Sequence, residues 1–278
     1  MKARRLLVYD TDPAIHELVA PVLQRDGRSI QDVYDRHEAL EVLRHNDCDL
    51  VLAGQGRNGD DCLKLLRRMR SIRPEAKVIL AGGRDRDGVL AAIRERVYAY
   101  FHKPISAGPL ADMVQLALDA TAWRDDIKVV SARPEWITLD VRCKLEAAER
   151  TTQFIREMLT DLEPHTAEDI AAAFRELLIN AVEHGGRSDP SKRVRTSLLR
   201  TERAVITHIA DPGKGFSLEA LPHAAISNPD DSPTRHIGYR EEQGQRPGGF
   251  GILMSRHLVD ELLYNERGNA VLSVKYLK

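Results

Sequence analysis

Short apolar runs alternate with amphipathic stretches along the first 120 residues. The strand candidates are residues 5–9, 29–33, 50–53, 77–81 and 98–101, and the helix candidates are residues 14–24, 36–45, 61–69, 89–96 and about 107–124. This alternation is typical of a parallel sheet covered by helices on both faces. The pattern therefore predicts an α/β doubly wound domain with a five-stranded parallel sheet over residues 1–121.

The order of the elements changes beyond that domain. Residues 122–135 show no clear period and are interpreted as a linker. Strands are expected at 136–141, 193–199 and 205–210, helices at about 145–161, 167–184 and 251–258, and a hairpin at 260–264 and 270–276. Helices followed by strands predict an α+β sandwich over residues 136–278.

Length, charge and cysteine content narrow the classes of function. The 278 residues suit two domains, and 41 basic against 42 acidic residues give a net charge of −1. Without excess positive charge, direct nucleic-acid binding is not expected. No apolar run reaches the roughly 18 to 20 residues of a membrane span, and the three cysteines show no metal or disulfide spacing. We expect a cytoplasmic protein without a membrane partner.

Charged residues at two strand ends suggest the chemistry of the first domain. Asp10 follows the first strand and Lys103-Pro104 follows the fifth. With the order of elements, this spacing resembles the receiver domain of response regulators over residues 4–121. In that family an Asp after the third strand accepts a phosphoryl group, acidic groups hold Mg²⁺, and a Lys balances the developing charge.

Three positions depart from the receiver pattern. Gly54 stands where the acceptor Asp is expected, Thr11 replaces one acidic residue, and Gly82 replaces the switch Ser or Thr. The resemblance therefore implies a pseudo-receiver that cannot be phosphorylated and acts as a docking or dimerisation face. We expect Lys103 to pair with Asp10 without catalysis. A relocated acceptor at Asp60 or Asp61 is the alternative.

Three separated motifs predict a ligand site in the second domain. Glu176, Asn180 and His184 recur every four residues along a predicted helix, so they lie near one face. Two glycine-bearing segments follow, 211–216 and 247–253. In this order, the motifs resemble the ATPase fold shared by histidine kinases, gyrase-type ATPases and anti-sigma-factor serine kinases.

The resemblance implies a role for each motif residue toward ATP and Mg²⁺. Asn180 would coordinate Mg²⁺, Asp211 would accept a hydrogen bond from the adenine amino group, and His184 would line the pocket. Residues 217–247 would form the lid. Gly213 and Gly215 would admit the adenine base and the ribose. The backbone at Gly248, Gly249 and Gly251 would wrap the phosphates. Asp211 as a turn former and His184 as a helix-end residue stay open as alternatives.

Within that superfamily the serine-kinase branch fits better than the histidine kinases. The helix predicted at 145–161 contains no His to accept a phosphoryl group, and Glu176 lies four residues before Asn180. The resemblance implies a serine/threonine kinase with Glu176 as general base and an anti-anti-sigma-factor protein as substrate. It also allows a sigma factor as partner, and a homodimer.

Other functions remain open at this stage. The main alternative is a nucleotide-gated protein-binding module, an anti-sigma factor or scaffold without kinase activity. A histidine-kinase-like autokinase or a phosphatase-assisting role is more remote. For Glu176 itself, an ion pair with Arg175 that merely holds the helix is the structural alternative.

Overall fold

The computed structural model describes residues 4–24, 27–54, 59–215 and 251–278. The chain divides into two compact units, Met1–Arg124 and Asp125–Lys278. Each unit has its own sheet and its own buried core.

The first unit is a doubly wound α/β domain, as predicted. Its parallel sheet has the strand order β2-β1-β3-β4-β5. Its elements are β1 (Arg4–Tyr9), α1 (Pro13–Leu23), β2 (Arg28–Val33), α2 (Arg36–His45), β3 (Leu50–Gly54), α3 (Gly59–Ile72), β4 (Lys77–Gly82), α4 (Arg86–Arg94), β5 (Ala99–His102) and α5 (Ala107–Asp119).

Local sequence explains where these elements begin. Asp12, Asp35 and Asp85 cap α1, α2 and α4 with side-chain oxygens that accept backbone N–H bonds. The central strands β3 and β4 are buried along nearly their whole length, because helices cover both faces of the sheet. The carboxyl ends of β1, β3, β4 and β5 therefore present their loops at one edge.

The second unit is an α+β sandwich. Its antiparallel sheet has the order β10-β11-β9-β8-β7-β6. Its elements are β6 (Ile127–Arg133), β7 (Trp136–Arg142), α6 (Leu145–Glu157), α7 (Pro164–Asn180), a π-helical turn (Ala181–Gly185), β8 (Arg193–Arg200), β9 (Ala204–Ala210), α8 (Gly251–Leu258), β10 (Glu261–Tyr264) and β11 (Ala270–Tyr276).

The predicted linker at 122–135 is wrong. Trp123 is buried and packs edge-on against Tyr98, so it belongs to the first unit. Residues 127–133 form β6, which pairs with β7 across a turn of two residues. An irregularity between Val129 and Ser131 interrupts the alternation of β6, and β6 lies at the sheet edge. Both features hide the period of a strand from sequence analysis.

Three helices also differ from the prediction in where they begin or end. α5 ends at Asp119 and α6 at Glu157, each several residues before the predicted end. The helix predicted at 167–184 begins at Pro164, a favourable first-turn residue, and its α-helical part ends at Asn180. Residues 181–185 continue it as a π-helical turn. Among the described residues, no helix is both long and apolar enough to cross a membrane.

Candidate functional site

The receiver-like site of the first unit is closed by an ion pair. Asp10, 1% exposed, follows β1, and its Oδ2 lies 2.5 Å from Nζ of Lys103. Its other oxygen accepts the backbone N–H of Asp12 at 3.0 Å. The carboxylate is thus buried, neutralised and hydrogen-bonded, as a buried charge must be. The expected Asp10–Lys103 pair is present.

Gly54 lies directly against this carboxylate. A Cβ atom at position 54 would overlap Oδ2 and Cγ of Asp10. The Asp10 side chain therefore occupies the volume that any side chain at the end of β3 would need. Here the glycine does more than omit the acceptor, because it makes room for the Asp10–Lys103 pair.

Among the described residues, the other receiver positions form no group of metal-binding side chains. Thr11 is exposed, and Asp12 accepts the N–H of Ala14 at 3.0 Å as the cap of α1. The carbonyl of Gly82 accepts the backbone N–H of Lys103 at 2.8 Å. Asp60 and Asp61 lie in α3, but their side chains are outside the described part of the chain.

His16 belongs to this site but was not identified from the sequence. Its buried ring is 2.9 Å from the carbonyl of Asp10 through Nε2 and 2.8 Å from Asp32 through Nδ1. It ties the end of β1 to β2 beneath Tyr34, whose ring is 4.1 Å away. His16 occupies an interior position of α1, and nothing local in the sequence points to this partner.

In the second unit, α7 and α8 bring Glu176, Asn180 and Gly251 together. A Cβ at Gly251 would be 2.9 Å from Oε2 of Glu176 and 3.4 Å from Nδ2 of Asn180. The first residue of α8 therefore lies against the last turns of α7. Asn180 has no side-chain hydrogen bond to any described residue. Its amide is available beside a helix N-terminus, where free N–H groups attract phosphate.

Asp211 lies at the end of β9 against the π-helical turn. A Cβ at Gly185 would overlap its carboxylate, and its Oδ1 accepts the N–H of Gly213 at 2.7 Å. Burial raises the pKa of Asp211, opposed by that hydrogen bond and by the charge of Arg267. The structure gives Asp211 no ion pair with a described residue. It is a half-buried acceptor with spare capacity for a donor.

The π-helical turn alters the predicted column of polar residues. Glu176 and Asn180 lie on α-helix, but His184 lies on the wider turn and is exposed. The predicted column of Glu176, Asn180 and His184 on one helix face therefore ends at Asn180. The same turn places Gly185 against Asp211, so it joins the α7 motif to the β9 motif. Such π-helical insertions are frequent at functional sites.

Gly215 closes the β9 loop onto the hairpin. Its φ is +81°, and a Cβ there would overlap the carbonyl of Arg267 in the β10–β11 turn. Nε of Arg267 donates to the carbonyl of Lys214 at 3.2 Å. Gly215 is thus a packing residue of this turn. Gly248, Gly249 and the proposed lid, 217–247, lie outside the described residues.

An ion-pair chain holds Glu176. Arg175 donates from Nη1 to Oε1 of Glu176 at 3.2 Å, and its Nε donates to Glu149 of α6 at 2.9 Å. The carboxylates raise the pKa of Arg175, Glu149 above all. Glu149, which the sequence did not single out, therefore fixes the cation that holds Glu176.

This donor set fits a nucleotide with Mg²⁺. Asp211 offers a carboxylate for an amino donor, and Asn180 offers an amide that has no hydrogen-bond partner among the described residues and could bind metal or phosphate. The first turn of α8 adds backbone N–H groups next to Asn180. Three chain segments far apart in sequence thus meet around α7.

Family models match both units. Residues 6–115 match the response regulator receiver domain, and residues 141–275 match the histidine kinase-like ATPase domain. The chain is 28% identical over 154 residues to the transcriptional regulatory protein GlrR of Escherichia coli, covering 52% of this chain and 34% of GlrR. It thus spans about a third of the length of that regulator.

A second relative aligns along most of its own length. The serine-protein kinase RsbW of Oceanobacillus iheyensis is 25% identical over 149 residues, covering 53% of this chain and 84% of that protein. Among solved structures, a response regulator from Thermotoga maritima is 24% identical, with a TM-score of 0.40, covering 42% of this chain and 99% of that chain.

With the two sheets and the convergence of the α7, β9 and α8 motifs, the two family models assign the two units. The chain combines a response regulator receiver domain with a histidine kinase-like ATPase domain.

Proposed function

We propose that this protein is an ATP-dependent serine/threonine kinase of the anti-sigma-factor type, regulated by a receiver-like domain that cannot be phosphorylated. The observation that carries this proposal is that Glu176 and Asn180 both lie against Gly251. The π-helical turn that follows Asn180 places Gly185 against Asp211, so all three side chains lie around the end of α7. A base candidate thus lies one helical turn from the metal-ligand candidate.

The transfer step assigns work to three side chains. Bound MgATP supplies the phosphoryl group and the positive charge that the transfer requires. Asp211 orients the adenine of ATP, and Asn180 holds the phosphate end. Glu176 takes the proton of the substrate hydroxyl. The hydroxyl oxygen bonds to the γ-phosphorus as the bond from that phosphorus to the leaving ADP oxygen breaks.

The proposed substrate is an anti-anti-sigma-factor protein with an exposed Ser or Thr. Similarity to a serine-protein kinase over 84% of that relative's length supports this choice over a histidine kinase. We propose a cytoplasmic partner-switching pathway, with a sigma factor as a second partner. The closed Asp10–Lys103 site supports a receiver domain that acts as a docking surface without phosphorylation.

One observation favours a second candidate, a nucleotide-gated binding module. Glu176 is paired with Arg175, and Arg175 is anchored by Glu149. The guanidinium of Arg175 occupies Oε1 of Glu176, the kind of oxygen that a substrate hydroxyl would have to reach. If Arg175 stays in place when substrate arrives, nucleotide occupancy would control partner affinity without transfer.

Glu176→Gln separates the two candidates. The variant should bind MgATP within a few-fold of the parent but phosphorylate the partner about 10² to 10⁴ times more slowly, because a general base is lost. Single-turnover transfer of labelled phosphate to purified anti-anti-sigma-factor proteins measures the rate, and calorimetry measures the affinity.

Glu149→Gln is the matched control, since it changes the same kind of side chain in the same ion-pair chain but leaves the proposed base intact. It should preserve transfer or increase it, because Arg175 loses an anchor. Equal transfer by parent and Glu176→Gln would remove Glu176 from the mechanism. If the parent binds MgATP and a partner but transfers nothing, the binding module is the function.

A further inference from the structure

The turn between β10 and β11 is closed by the side chain of Asn265. Its Oδ1 accepts the backbone N–H groups of Asn269 at 3.0 Å and of Ala270 at 3.1 Å. Its Nδ2 donates to Oδ1 of Asn269 at 3.0 Å, and its carbonyl accepts the N–H of Gly268 at 2.9 Å. Gly268 is buried, and its φ of +73° suits a glycine. The turn is therefore a closed hydrogen-bonded unit that fixes the side-chain amide of Asn269.

This turn binds Asp211 through its backbone. The N–H of Asp211 donates to the carbonyl of Asn269 at 2.9 Å, and Nδ2 of Asn269 donates to the carbonyl of Asp211 at 3.2 Å. The first bond continues the β9–β11 ladder one residue beyond the pair of Ala210 and Ala270. The second bond comes from a side chain, so it depends on the residue type at position 269. Asn269 thus binds both main-chain polar groups of Asp211.

The other end of the loop after β9 is bound by the same turn. Nε of Arg267 donates to the carbonyl of Lys214 at 3.2 Å. The carbonyl of Arg267 lies where a Cβ at Gly215 would be. The loop that begins with Asp211 therefore has both of its ends on the β10–β11 turn, which fixes the backbone from which the carboxylate of Asp211 extends.

Backbone position is important for Asp211 because its carboxylate has little room. A Cβ at Gly185 would overlap the carboxylate, and a Cβ at Gly213 would be 2.7 Å from Oδ1. Oδ1 accepts the N–H of Gly213, whereas Oδ2 accepts no hydrogen bond from a described residue. Because hydrogen bonds weaken steeply with misalignment, a small backbone shift would change what Oδ2 can accept from a ligand.

We infer that Asn269 is a positioning residue for base recognition, which orients Asp211 and so sets the preference for adenine over a base with a carbonyl in place of the amino group. The inference rests on the proposed role of Asp211 in binding adenine. An ionised carboxylate only accepts hydrogen bonds, so it favours an amino group and disfavours a carbonyl. Asn269 acts through Asp211, which lies 58 residues away in the sequence.

Inosine triphosphate is the probe, because hypoxanthine carries a carbonyl oxygen where adenine carries its amino group. The full-length parent should bind MgATP at least about tenfold more tightly than MgITP, since only adenine donates to Asp211. Asn269→Ala should raise the dissociation constant of MgATP about three- to tenfold and that of MgITP less than about twofold. Calorimetry measures both constants, and thermal melting checks folding.

Three further variants separate positioning from a merely structural role. Asn269→Asp keeps the side-chain shape and the acceptor for Asn265 but lacks the N–H donor, so it should reduce selectivity at least as much as Asn269→Ala. Glu266→Ala changes an exposed residue of the same turn that has no hydrogen bond or ion pair with a described residue, so both constants should stay unchanged. In an Asp211→Ala background, Asn269→Ala should change the MgATP constant less than about twofold.

Three results would contradict the role of Asn269. They are an equal rise for both nucleotides in Asn269→Ala, an additive effect in the Asp211→Ala background, and a parent that binds MgATP and MgITP equally. If Asn269→Ala does not fold, Asn269→Asp supplies the same comparison. Phosphoryl transfer to a partner is measured separately. A parent that loses its selectivity in Asn269→Ala but transfers nothing would support this inference and refute the kinase.

Discussion

The two units use the same local device with opposite consequences. In each, a glycine lacks the Cβ that would overlap an aspartate carboxylate: Gly54 against Asp10, and Gly185 against Asp211. Asp10 is fully buried and forms an ion pair with Lys103, so its carboxylate is already bound within the fold. Asp211 is half-buried, has no ion pair to a described residue, and has a pKa raised by burial.

The comparison shows that a carboxylate beside a glycine is not by itself a site. Whether it can act on a ligand depends on the charge that faces it and on its exposure. In the receiver domain the pair with Lys103 stabilises the loops that meet at the sheet edge. In the ATPase domain, Asp211 forms no ion pair with a described residue and can still accept a hydrogen bond from a ligand.

Lys103→Met should have the largest effect, because it leaves Asp10 charged and buried. We expect the free energy of unfolding to fall by about 3 to 5 kcal/mol, toward the lower value since Lys103 is partly exposed. Urea denaturation measures it. The exposed pair of Arg4 and Asp49 is the control, and Arg4→Met should cost less than about 1 kcal/mol. Equal costs for the two variants would show that Asp10 is not held by Lys103.

Gly185→Ala should displace the Asp211 carboxylate from its position. Losing a charged hydrogen bond to the nucleotide costs about 1.5 to 3 kcal/mol, so we expect the dissociation constant of MgATP to rise about 10- to 150-fold. Calorimetry measures it. Gly108→Ala is the matched control, because a Cβ there meets open space. Unchanged affinity in Gly185→Ala would contradict the role of Asp211.

Gly54→Asp should fail to restore a receiver. Its side chain would overlap Asp10, so we expect a loss of about 1 to 3 kcal/mol in stability and no phosphorylation by acetyl phosphate. Exchanging the two residues, with Asp10→Gly and Gly54→Asp together, should recover part of the loss. Thermal melting and mass spectrometry provide the readouts. An adduct on Asp10, Asp60 or Asp61 in the parent would refute the pseudo-receiver.

A smaller effect follows from the raised pKa of Asp211. The carboxyl takes up a proton at a higher pH than an ordinary Asp, so nucleotide affinity should begin to fall earlier as the pH decreases than it would with an ordinary Asp at this position. In the window between the unfolded and folded pKa values the folded state binds more protons, so the contribution of Asp211 to stability decreases as the pH rises.

Asp211→Asn should remove this part of the pH dependence. Calorimetric titration of ADP with parent and variant, from neutral to mildly acidic pH, separates it from the titration of the phosphates, which both proteins share. Parallel pH profiles would indicate that Asp211 does not contact the nucleotide.

Most elements could be predicted because their signals are local. Buried strands such as β3 and β4 are continuous apolar runs, and Asp12, Asp35 and Asp85 mark helix starts. β6 escaped prediction because an edge strand with an irregular register keeps little alternation. The π-helical turn was not predicted because its residues have the same types and spacing as ordinary helix. The role of Gly185 follows only from its packing against Asp211.

The sequence by itself determined the two fold classes, the missing acceptor at Gly54, and the motif residues Glu176, Asn180 and Asp211. Those features depend on residue identity and on spacing within one element. The tertiary structure decided that Asp10 fills the space beside Gly54, that Glu149 anchors the arginine holding Glu176, and that Gly185 lies against Asp211. These contacts join residues from different elements. No local period encodes them, because they arise only when distant strands and helices pack together.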